Sequence, residues 1–168
     1  MNVVDIVKQS VLFPIAVSKS AVGLDNVDNV RQVAQFNSAV GSNLFSGIYF
    51  NMTMNNNQIH FGDVLTVGAD GYAVQAKADS ATTLPAVFMA CQTGFDHPPQ
   101  QALVMSQGFL DKSTWSWTPG QLLYVSDATE GLMTATKPVG AGKFVQPVAI
   151  AMSATRIFFN PSLSMVAL

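Results

Sequence analysis

Apolar and polar positions follow three different patterns along the chain. Over residues 1–17, MNVVDIVKQSVLFPIAV, the valines Val3, Val4, Val7 and Val11 recur at helical spacing and permit one short helix up to about Phe13. Their β-branched side chains suit an extended arm equally well. Over residues 18–45, Leu24, Val27, Val30 and Val33 return every three positions among Asp, Asn and Gln. That stripe is too narrow to bury much alone. Around a threefold axis three such stripes would cover one another; the alternative is a helix-turn packed on the chain's own sheet. From residue 46 the pattern is β. SGIYFNMTMNNNQIHF alternates apolar and polar positions about Asn55-Asn56-Asn57, as a hairpin does.

The rest consists of short Val, Leu, Ile, Phe, Thr and Tyr runs. They are cut by turn signals at Gly62-Asp63, Asp70-Gly71, Pro98-Pro99, Pro119-Gly120, Glu130-Gly131, Gly140-Ala141-Gly142 and Asn160-Pro161. Strands of this length and spacing predict a mainly β fold, a small antiparallel sandwich or barrel forming a head over 46–168. Residues 1–45 form its helical or extended stalk. An internal repeat supports two related halves. GDVLTVGADGYAVQAKAD (62–79) resembles GQLLYVSDATEGLMTATKP (120–138), and each is followed by an apolar strand, VFMA at 87–90 and VAIA at 148–151. The offset of about 58–61 residues predicts a repeated hairpin-plus-strand unit.

Composition narrows the function classes. Of the 168 residues 49% are hydrophobic and only 11% charged, with a net charge of -2; an average soluble domain carries roughly 25% charged residues. A disordered polyelectrolyte is excluded. Two arginines and six lysines do not make a nucleic-acid surface. No apolar run reaches the roughly 18–20 residues of a membrane-spanning helix. Asp5, Lys8, Gln9 and Ser10 interrupt the start in a way that does not fit a signal peptide, so the chain reads as made and folded in a reducing cytoplasm. So few charges on so apolar a chain suggest burial between copies.

Candidate chemistry is sparse. His60 and His97 show no metal-ligand spacing. Cys91 follows the apolar run AVFMA and reads as a buried small hydrophobe. Asp63, Asp70, Asp79, Asp96 and Asp127 lie in turn contexts, where Asp bonds to nearby backbone. Gly140-Ala141-Gly142-Lys143 reads as a hairpin turn between strands, lacking the helix of a phosphate loop. No catalytic or metal site and no cofactor is expected. Alternation places Trp115 and Trp117 on one strand face, where they pack in a core or interface, or stack on a glycan.

Two segments carry a resemblance. KSAVGLDNVDNVRQV (19–33) resembles the K-x-x-V-G-L-x-N-V-D-N element of bacteriophage tail fibres and related trimeric appendages; Lys19, Val22, Gly23, Leu24, Asn26, Val27, Asp28 and Asn29 match. WSWTPGQLLYVSDATEGLMTATKPVGAGKFVQPVAIAMSATRIFFNPSL (115–163) resembles a β domain at the ends of many phage structural proteins, with Ala149 where that family often has glycine. The resemblance is to head-fibre, capsid-decoration and tail-appendage proteins. It implies a non-enzymatic homotrimer on the virion, bound to the major capsid protein or another virion protein. Nucleic acid and membrane are not among its expected partners. Val3, Val4, Ile6, Val7, Val11, Leu12 and Phe13 are the candidate capsid anchor, and Leu24, Val27, Val30 and Val33 the candidate trimer seam. The alternative is a tail appendage or adhesin module that holds a host surface glycan on Trp115 and Trp117.

Overall fold

The computed structural model describes residues 43–54, 58–92 and 100–168. The anchor and seam candidates, with His97 and Asp96, lie outside them. Among the described residues eleven strands form in chain order: β1 (Leu44–Met54), β2 (Val64–Val67), β3 (Ala73–Gln75), β4 (Phe88–Ala90), β5 (Gln100–Asp111), β6 (Leu122–Val125), β7 (Met133–Thr134), β8 (Phe144–Val145), β9 (Pro147–Ala151), β10 (Arg156–Phe159) and β11 (Val166–Ala167). The fold is mainly β, as the turn spacing predicts. Helical structure among the described residues is one 3-10 turn, Ala81–Thr83. No helix there is long and apolar enough to cross a membrane.

Nine strands form one sheet in the order β1-β3-β2-β4-β5-β10-β9-β6-β7, and β1 also pairs with β5. The first five therefore close into a ring. The expected hairpin about Asn55–Asn57 does not form. β1 runs antiparallel to β5 from Leu44↔Asp111 to Met54↔Gln100, and residues 58–63 are turn and irregular chain. Period-two alternation fixes which face of a strand is buried and leaves its partner open; here the partner is remote in sequence.

The internal repeat is present in the pairing register. Thr66↔Val74 and Val67↔Ala73 in the first hairpin correspond to Tyr124↔Thr134 and Val125↔Met133 in the second. Val64↔Met89 and Leu65↔Phe88 correspond to Leu122↔Ile150 and Leu123↔Ala149. Backbone bonds repeat as well. Gly62 N–H donates to Ala90 O at 2.8 Å, and Gly120 N–H to Ala151 O at 2.7 Å. Both glycines have positive φ, 87° and 81°, which a side chain would strain. The two halves meet where β5 pairs with β10.

The halves differ in which face they bury. Where Ile48 and Tyr49 of β1 face Gln107 and Met105, Ser106 is left over and the register shifts. Such a bulge reverses the alternation. Ala102 and Val104 join Met54, Ile59, Leu65, Ala73 and Ala90 inside the ring. Met105 and Leu110 join the larger core with Val64, Met89, Leu123, Val148, Ile157 and Phe159. Val64, Met89 and Met105 are thus buried, while their counterparts Leu122, Ile150 and Phe158 lie on the outer face.

β8 pairs with β11 in a separate small sheet. The Gly140-Ala141-Gly142 turn is therefore not a hairpin turn. Its Gly142 N–H donates to Leu168 O and its Lys143 N–H to Gly140 O, and the strand that follows finds its partner near the C-terminus. The cause is again a partner that local alternation does not choose.

Candidate functional site

A cleft of about 470 Å³ opens where the first half meets the turn of the second hairpin; its walls include Gln58, His60, Asp63, Gln75, Lys77 and Glu130. Asp63 lines it and is 3% exposed. Its Oδ2 accepts the His60 backbone N–H at 2.9 Å and Gln75 Nε2 at 2.9 Å. The His60 ring Nδ1 stands 3.8 Å from the same oxygen. Burial pushes the Asp63 pKa above its ordinary 3.8, against the opposing pull of these hydrogen bonds and of His60 and Lys112. Lys77 is held by Asp79 at 2.7 Å. The second hairpin docks beside Asp63 through backbone: Val64 N–H donates to Gly131 O and Gly131 N–H to Ala76 O. A Cβ on Gly131, whose φ is 72°, would come within 3.1 Å of the Asp63 carboxylate and 2.8 Å of Gln75 Nε2.

Part of Asp63's role is structural, as its turn context implies. Its counterpart in the second copy is Gln121. Asp63 N–H donates to His60 O at 3.0 Å, and Gln121 N–H to Thr118 O at 3.1 Å. In return the Thr118 N–H donates to Gln121 Oε1 at 3.4 Å, as the His60 N–H does to Asp63 Oδ2. A neutral amide thus closes the same turn. Gln75 has Ala135 as its counterpart, so the carboxylate–amide pair belongs to the first copy alone. Aligning the two repeats marks Asp63 as the odd member; classing it with the other turn aspartates conceals that.

Trp115 and Trp117 lie in an irregular connection after β5, not on a strand. Pro119-Gly120 and the bonds from Trp115 N–H to Lys112 O and from Trp117 N–H to Ala154 O hold the segment out of any ladder. Both indoles are half-buried and pack against the larger core, their ring centroids 6.3 Å apart. Lys112 reaches over Trp115 at 5.8 Å and donates to Phe61 O. Trp117 Nε1 is buried without a hydrogen-bond partner. Cys91 is buried, and desolvation raises its pKa to about 12. Among the described residues no three His, Cys, Asp or Glu side chains group as metal ligands.

A second surface feature is apolar. Leu122, Ile150, Phe158 and Phe109 are successive cross-strand partners over β6, β9, β10 and β5. Leu122 is 46% exposed, Ile150 38% and Phe109 36%, and the Phe109 and Phe158 rings lie 5.0 Å apart. Beside this row is a hollow of about 350 Å³ bordered by Pro147, Pro161 and Ser162. Compared with known protein families and with curated proteins, the chain matches none.

Proposed function

We propose that the chain is a structural virion protein: a trimeric head fibre or decoration protein on a phage capsid, without catalytic activity. The observation that carries this reading is the outer row of Leu122, Ile150, Phe158 and Phe109. A continuous apolar row four strands wide is unfavourable against water and suits burial against a neighbour in an assembly. The low charge content and the phage-fibre resemblance of residues 19–33 and 115–163 support the same reading. In it, Leu24, Val27, Val30 and Val33 form the trimer seam, and Val3, Val4, Ile6, Val7, Val11, Leu12 and Phe13 anchor the trimer to the capsid.

Light scattering on a sizing column tests the assembly: a mass near three chains, stable on dilution, is expected, and a monomer overturns the trimer. Co-sedimentation with capsids tests the anchor. Deleting residues 1–17 is expected to leave a folded trimer that no longer sediments; retained binding removes that role.

A further inference from the structure

The repeat separates what the fold requires at Asp63 from what it does not. Gln121 closes the equivalent turn with an uncharged amide. A carboxylate in that place adds charge to a site from which water is largely excluded, a cost the turn does not require. Both of its side-chain hydrogen bonds go to Oδ2, which leaves the Oδ1 lone pairs of this cleft-lining residue without a hydrogen bond among the described residues.

We propose that this cleft is a saccharide-binding site, in which Asp63 Oδ1 accepts hydrogen bonds from sugar hydroxyls.

The lining selects this chemistry. Asp63 and Glu130 disfavour an anion, and Lys77 in the same wall disfavours a cation. A bound Ca²⁺ would need about 6–8 oxygen ligands, and no such group of acidic side chains is assembled among the described residues. What suits mixed donors and acceptors is a neutral ligand that both gives and takes hydrogen bonds, as each sugar hydroxyl does. Gln75 also lines the cleft; with its Nε2 engaged by Asp63 Oδ2 and the Gln58 carbonyl, its Oε1 is left as an acceptor. Leu132, 46% exposed on the wall, supplies an apolar surface for the C–H face of a ring. The volume falls within the roughly 300–1,000 Å³ of small-ligand sites.

The test uses the full chain, isotopically labelled, titrated separately with the methyl glycosides of glucose, galactose and N-acetylglucosamine and with calcium chloride. With at least one glycoside, a saturable shift of the Gln75 side-chain amide signals is expected. Asp63→Asn keeps the turn-closing oxygen and removes the charge; it is expected to weaken that binding at least tenfold without altering the remaining spectrum. Leu132→Lys, at an exposed position, weakens it independently of any effect on folding. No saturable shift with any of the three glycosides overturns the proposal. Saturation by calcium alone, or binding unchanged in both variants, does so too.

Discussion

Gln146 serves Ala86 as a neighbouring strand would. Its Oε1 accepts the Ala86 N–H and its Nε2 donates to the Ala86 carbonyl, both at 2.8 Å. Nε2 donates also to Ser162 O at 2.6 Å. The side chain is fully buried, so one amide ties the Ala86 segment to the Gln146 and Ser162 segments, which meet each other through Ser162 N–H donating to Pro147 O. Gln146→Leu leaves three backbone groups without that partner. Each buried unsatisfied group costs about 1–3 kcal/mol, and a total loss of about 3–5 kcal/mol is expected in chemical denaturation. Gln146→Glu fares no better, because an ionised carboxylate cannot donate to the two carbonyls.

Gly47 and Gly108 face each other across β1 and β5, next to the bulge that turns the sheet. A Cβ on Gly47 would lie 2.2 Å from Gln107 O and 2.6 Å from Gly108 Cα; one on Gly108 would lie 2.2 Å from Ser46 O. The obstructing atoms are backbone, and both residues have φ near +150°. Gly47→Ala and Gly108→Ala should each destabilise by about 3 kcal/mol or more, combining overlap with backbone strain. Thermal melts of both variants check this, and a melting temperature within two degrees of the parent would refute it.

Asp63 sets a pH dependence with a definite sign. Its folded pKa is raised above the ordinary 3.8, so the folded state holds this proton more tightly than the unfolded state. Stability from this group is therefore greatest below 3.8 and declines as pH rises through the folded pKa. Asp63→Asn abolishes that decline. The difference in melting temperature, variant minus parent, should grow from acid to neutral pH; a flat or falling difference contradicts the assignment of burial as the dominant cause.

Cys91 is expected to be chemically silent in the folded protein. With its pKa raised to about 12 by burial, almost no thiolate is present at neutral pH, and the thiolate is the reactive form. A thiol-specific disulfide reagent at about pH 8 should label it only after denaturant is added. Rapid labelling of the native protein would place the thiol in solvent.

Much of the fold was legible in the sequence because turn chemistry is local. Gly62 and Gly120 open the two copies, and the hairpins that follow stand where the apolar runs end. The repeat carried more information than either copy alone, since its offsets recur residue by residue in the pairing. Long-range partners were not legible. β1 alternates as a hairpin arm would, yet its complement is β5, where Gly47 and Gly108 let the two backbones approach closely. Nor was the site legible: Asp63 resembles the other turn aspartates until its neighbours Gln75 and Gly131 arrive from elsewhere in the chain. Trp115 and Trp117 share a packing environment for a reason other than strand alternation.

The outer apolar row gives the assembly reading a direct mutational test. Leu122 and Ile150 are cross-strand partners with exposed side chains on a sheet whose other face is buried core. Lysine at either position can keep its charged end in water while its stem lies along the sheet. Ile150→Lys and Leu122→Lys should therefore change folding stability by only about 0.5–1 kcal/mol. If the row is covered by a neighbour, each lysine would be buried unpaired in that contact, which is strongly unfavourable. Native mass by light scattering, or capsid binding, should then fall in both variants. Val139→Lys serves as the control, since Val139 is 76% exposed and lies off the row. Loss of association with Ile150→Lys and Leu122→Lys but not with Val139→Lys locates the contact on the row. Unchanged association in all three means that the row faces solvent in the assembly, and the proposed structural role then loses the observation that carries it.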